Sequence, residues 1–65
     1  MNSREIEQLT DELIGVAVLS LLKDNSPIST RALINRLRSM ETSEQDGQRR
    51  QMLGRIIAEI SNKIG

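Results

Sequence analysis

The stretch Leu13-Ile14-Gly15-Val16-Ala17-Val18-Leu19-Ser20-Leu21-Leu22 decides how this chain folds. Eight of its ten residues are apolar, and the other two, Gly15 and Ser20, are small. A helix covered on one side shows an apolar stripe, with polar residues returning every two or three positions. They do not return here, so a helix built from this run is apolar almost all round. It needs neighbours on more than one side. The run is too short to cross a bilayer, which takes about 20 apolar residues. It therefore predicts a buried core or interface helix, with no membrane contact.

Upstream of the run, Asn2 with Glu5 three residues later fits a capping box. Ile6, Leu9, Leu13, Val16 and Ala17 then form one stripe at helical spacing. Ile14, Val18 and Leu21 form a second, and Leu19 and Leu22 widen both. A later start at Thr10 would set Asp11 and Glu12 against the positive helix end. Asp24-Asn25-Ser26-Pro27 stops the helix, because Pro27 disfavours helical geometry at Ser26 and Asn25 suits a turn. The first helix is placed at 3–24. Gly15 costs it about 1 kcal/mol relative to Ala. Either another helix approaches closely there, or a strong helix tolerates the glycine.

Downstream, Ser29 is a good N-cap, and Ile28 with Leu33 forms a hydrophobic staple. Leu33, Ile34, Leu37 and Met40 face inward in a second helix over 29–40, with Arg31, Asn35 and Arg38 along its outer face. Thr42 or Ser43 then caps a third helix over 43–64, with Glu44 and Asp46 in its first turn. Gly47 weakens that turn and allows the start to slip towards Gln48. The inner stripe of this helix is Met52, Leu53, Ile56, Ile57, Ile60 and Ile64, and Gly65 ends the chain. Apolar and polar residues alternate nowhere over a useful length, so no strand competes. The reading is an all-α, three-helix module in a single domain, residues 1–65.

A chain of 65 residues buries only about 60 % of its unfolded surface. Folds this small add disulfides, a metal or a partner chain. With 0 Cys and 0 His, the first two routes are largely closed. A helical homodimer is the route left, and the apolar run is its natural seam. Leu13, Ile14, Gly15, Ala17, Val18, Leu21 and Leu22 are the expected interface residues. The polar, acidic start of the chain predicts no secretion signal, and a cytoplasmic location is expected.

The residues also bound the chemistry. With no His, Cys or Tyr, a nucleophile would have to be Ser or Thr, and its base a carboxylate or lysine. Lys23 and Lys63 fall at helix ends in solvent. Glu5 with Glu7, and Glu44 with Asp46, are two apart, so they do not face each other on a helix. No enzyme, cofactor, metal or small-molecule substrate is expected. Charge is balanced overall but unevenly placed. Arg4 and Lys23 against Glu5, Glu7, Asp11, Glu12 and Asp24 leave residues 1–25 acidic, and the remainder is basic. This asymmetry permits an acidic partner or self-association. Helix, short turn and a Ser-capped helix resemble the start of a helix-turn-helix. Arg31, Asn35, Arg38, Arg49 and Arg50 form a candidate contact for DNA or an acidic partner. Against DNA stand the zero net charge and the lack of aromatic residues for stacking.

One resemblance adds to this reading. Leu13 to Val18 leading to Leu21-Leu22, then Asp24-Asn25, Ile28-Ser29, Leu33-Ile34, Leu37 and Met40-Glu41-Thr42, resembles the small enterobacterial YmgB/AriR family. The likeness covers roughly residues 12–60. This chain departs from the family in a shorter amino-terminal segment and in having no aromatic residue. The resemblance implies an all-α homodimer without catalytic residues. It also implies a regulatory role as a two-component-system connector controlling biofilm and acid-stress responses, with DNA contact as an alternative mode.

Overall fold

The computed structural model describes residues 2–64, with side chains as far as Lys63. Three helices, α1 (Ser3–Lys23), α2 (Thr30–Ser43) and α3 (Gly47–Ile64), pack together. The all-α expectation holds for the described residues. The side chain of Ile64, expected at the end of the inner stripe, and Gly65 lie outside them. Asn2 begins α1 as expected, its Oδ1 accepting from the Glu5 amide at 2.9 Å. The earlier of the two possible starts is the real one.

The end of α1 shows what a short polar sequence does to a helix. Asn25 adopts φ 55°, the left-handed conformation that asparagine tolerates better than most residues. The Asn25 amide then donates to the Leu22 carbonyl at 3.1 Å and the Ser26 amide to Leu21 at 3.0 Å. This is a Schellman closure, which satisfies carbonyls the helix would otherwise leave open. Pro27 follows and prevents resumption. Ser29 caps α2, its Oγ accepting from the Ala32 amide at 3.1 Å. The expected staple partner, Ile28, leaves 56 % of its surface exposed.

The second junction differs from expectation. α2 runs on through Thr42 and Ser43 instead of ending at residue 40. Thr42 does not cap α3; its Oγ1 donates back to the Arg38 carbonyl at 3.0 Å within α2. Glu44, expected in the first turn of α3, is the extended residue that closes α2. Asp46 takes the capping role. Its Oδ1 accepts from the Gln48 amide at 3.1 Å, and its carbonyl accepts the first helical bond from Arg50. An aspartate at the N-cap satisfies an otherwise unpaired amide and opposes the positive helix end. This leaves Gly47 as the first helical residue, where a weak helix former costs little.

The core takes Leu13 and Ala17 from α1, Leu37 from α2, and Met52, Leu53, Ile56 and Ile57 from α3. Ile6, Leu9, Ile14, Leu33, Ile34, Met40 and Ile60 pack around it, half-buried. The inner stripes of α2 and α3 are those the spacing predicts. Glycines behave differently at two positions. A Cβ at Gly54 would lie 3.0 Å from Glu41 Oε2, so the tip of an α2 side chain reaches over α3 there. A Cβ at Gly15 would meet nothing within 4 Å. Close helix approach at Gly15 does not occur within one chain.

Two stability measurements check this packing. Leu37 is fully enclosed, and Leu37→Ala is expected to cost about 2–5 kcal/mol, read as a lower urea midpoint. That loss is a large share of the total stability of a small domain. Gly15→Ala should raise the midpoint measured at a concentration where the chain is a monomer, because within one chain a new methyl meets nothing and gains about 1 kcal/mol of helix propensity. Gly54→Ala should gain less, since the Glu41 carboxylate must move aside.

Candidate functional site

Two surfaces stand apart from the core. The first follows from the helical repeat. At 100° per residue, placing Leu13, Ala17 and Leu21 against α2 and α3 turns Gly15, Leu19 and Leu22 to the opposite side. Val16 flanks them. Val16, Leu19 and Leu22 are 45 %, 56 % and 53 % exposed. A shallow depression beside them is lined by Val16, Leu19, Ser20, Lys23 and Asp24. The all-round apolar run is thus covered on only one side by its own chain.

The seven residues expected at a seam divide accordingly. Leu13, Ala17 and Leu21 are enclosed within a single chain. Ile14 and Val18 are half-buried, and Gly15 and Leu22 lie open on the outward face. Val16 and Leu19 share that face and were not among the seven. The run's uniform apolarity hid which side α2 and α3 would take. The i, i+4, i+7 spacing of Gly15, Leu19 and Leu22 was the signal available for grouping them.

The second surface lies on α2. Arg31, Asn35 and Arg38 follow at i, i+4 and i+7 and are all exposed. Their side chains make no ion pair or hydrogen bond among the described residues. Arg31 and Asn35 border a shallow groove shared with Arg36, Ser39 and the α1–α2 turn. Arg36, which the sequence did not single out, points to the end of α1 and pairs with Asp24 at 2.7 Å. Both side chains are partly solvated, so this pair contributes at most about 1 kcal/mol. It still ties α2 to α1 beside the turn that joins them.

Arg49 and Arg50 are not part of this face. The Arg49 guanidinium lies 3.2 Å from the Glu44 carboxylate and 3.6 Å from that of Glu12. Arg50 donates through Nε and Nη2 to the Glu44 backbone carbonyl, at 3.1 and 2.6 Å. Together they brace the α2–α3 junction, and Arg49 reaches across to α1. The expected five-residue contact therefore separates into three free side chains on α2 and two structural arginines on α3. Spacing along the sequence showed the first group. It could not show that the α2 end would need a donor.

Among the described residues, no group of three or more acidic, His or Cys side chains gathers to hold a metal ion. No helix among them is long and apolar enough to cross a membrane. The two surfaces that this fold leaves open to solvent are an aliphatic helix face and a short arginine row.

No family model matches the chain, and no solved structure does. Among curated proteins it is 34 % identical over 62 residues to YmgA of Escherichia coli strain K12, named a probable two-component-system connector protein. The match takes in 95 % of this chain and 69 % of that protein. Likeness of that extent spans all three helices and both junctions, and the chain belongs to the YmgA/YmgB/AriR family of small connector proteins.

Proposed function

We propose that this chain is a non-enzymatic regulator, a connector acting on a two-component phosphorelay as a cytoplasmic homodimer. The observation that carries the connector role is its likeness to YmgA along nearly its whole length. The exposed Val16, Leu19 and Leu22 on α1 support the dimer. A contiguous aliphatic face is costly to leave in water, at about 25 cal/mol per Å². In this reading Gly15, Val18 and Leu22 from the expected seam meet a second copy, joined by Val16 and Leu19. Leu13, Ala17 and Leu21 support the seam from inside. Biofilm and acid-stress control complete the proposal, on the family resemblance described above.

Arg31, Asn35 and Arg38 supply the contact to the relay partner. Arginine presents a planar fork that matches carboxylates in pairs, and these two have no internal carboxylate to occupy them. An acidic protein surface is the favoured target. DNA is the second reading, favoured by the same free arginines and by the asparagine between them, which suits an adenine edge. The balanced net charge and the engagement of Arg49 and Arg50 weigh against it.

Sedimentation tests the dimer: a concentration-dependent dimer is expected, and a folded monomer throughout the micromolar range would remove it. For the partner, tagged chain is cross-linked in its host, and the captured proteins are compared with those captured by an Arg31→Ala, Arg38→Ala double variant. A sensor kinase, phosphotransfer protein or response regulator should be held by the first and lost by the second. Its phosphotransfer rate should change on adding the chain. Capture of DNA fragments instead, with affinity falling steeply as salt rises, would favour the second reading.

A further inference from the structure

The outward face of α1 carries a gap and a projection at matched positions. This inference rests on the dimer reading above and concerns how the two copies meet. Gly15 has open space where a side chain would begin. Leu22, two turns and about 10.5 Å further along the axis, stands 53 % exposed. Leu19 lies between them on the same side. We propose that α1 pairs antiparallel with α1 of a second copy, about a two-fold axis between positions 18 and 19. Each Leu22 then seats over the Gly15 of the other chain. In that register positions 15 and 22 are level, because they lie equally far from the axis, and Leu19 packs beside it. A parallel pair would set gap against gap and projection against projection. That leaves a void at Gly15 and holds the helices apart at Leu22, and both features weaken packing.

Charge selects the same arrangement. The amino-terminal half of α1 carries Glu5, Asp11 and Glu12, all exposed. Side by side in a parallel pair, Asp11 and Glu12 of the two chains would lie within a turn of each other. Like charges so placed repel. In the antiparallel pair the acidic half of each helix instead runs past the partner's Lys23, the basic residue in the last turn of α1. The Glu12 side chain is 61 % exposed and only loosely held by Arg49 at 3.6 Å. Its exposed carboxylate can reach that ammonium while keeping, or in place of, the long contact to Arg49.

The chain contains no cysteine, so single cysteines report the register directly. Gly15→Cys and Leu22→Cys chains are prepared separately, then oxidised mildly, each alone and as an equal mixture. Both positions are open in the single chain, and circular dichroism of each variant confirms that its helices persist. A disulfide needs Cα atoms about 4.4–6.8 Å apart. The mixture should therefore give a cross-linked dimer holding one of each chain by mass, about tenfold more than either variant alone. Efficient self-cross-linking of Gly15→Cys would overturn the proposal in favour of a parallel pair. A dimer by sedimentation that cross-links in none of the three samples would also overturn it, by placing the seam elsewhere. An unaltered chain that sediments only as a monomer would overturn the dimer reading itself, a failure distinct from a wrong register.

Discussion

One constraint governs this molecule: α1 is apolar round most of its circumference, and two short helices can cover only about half of it. Leu13, Ala17 and Leu21 lie against α2 and α3, and Ala17 is completely enclosed. The side opposite, with Val16, Leu19 and Leu22, is left in water. Among the described residues no further element covers it. Its core rests on one row of α1, one leucine of α2 and two turns of α3. Leaving that row in water costs free energy in proportion to its apolar area, about 25 cal/mol per Å².

The arginines show how a small fold allots its charges. Arg36 and Arg49 join separate elements through Asp24, Glu12 and Glu44. Arg50 closes the end of α2 by donating to the Glu44 backbone carbonyl. Helix ends leave carbonyls unsatisfied, and a chain with little buried volume meets that need from the surface. Among the described residues Arg31 and Arg38 have no such task, which separates them from Arg36, Arg49 and Arg50. A balanced net charge therefore conceals a short row of cations open to solvent.

Local rules and tertiary contacts divide at the two junctions. The α1–α2 turn follows from its own residues: Asn25 accepts the left-handed conformation, Pro27 prevents continuation, and Ser29 caps what comes next. Spacing and capping preferences were enough to read it. At the α2–α3 junction, Thr42, Ser43 and Asp46 all qualify as caps by residue type. The choice of Asp46 goes with the Arg50 contact to Glu44 and the Arg49 pairing, which link residues from different turns and helices. Preferences among competing caps differ by only a few tenths of a kcal/mol, so contacts of this kind tip the balance.

By itself the sequence determined three helices, no strands, the inner stripes of α2 and α3, the first cap and the Arg31–Asn35–Arg38 row. Each follows from the 3.6-residue period or from the geometry of one side chain and its neighbours. Tertiary structure alone decided which side of residues 13–22 faces the core, because an all-round apolar helix carries no internal record of its inner face. It also decided that Arg49 and Arg50 brace the fold, and that Gly54, not Gly15, lies beneath a side chain of a neighbouring helix. Both depend on where α3 crosses its neighbours, and no periodicity along one helix encodes that crossing.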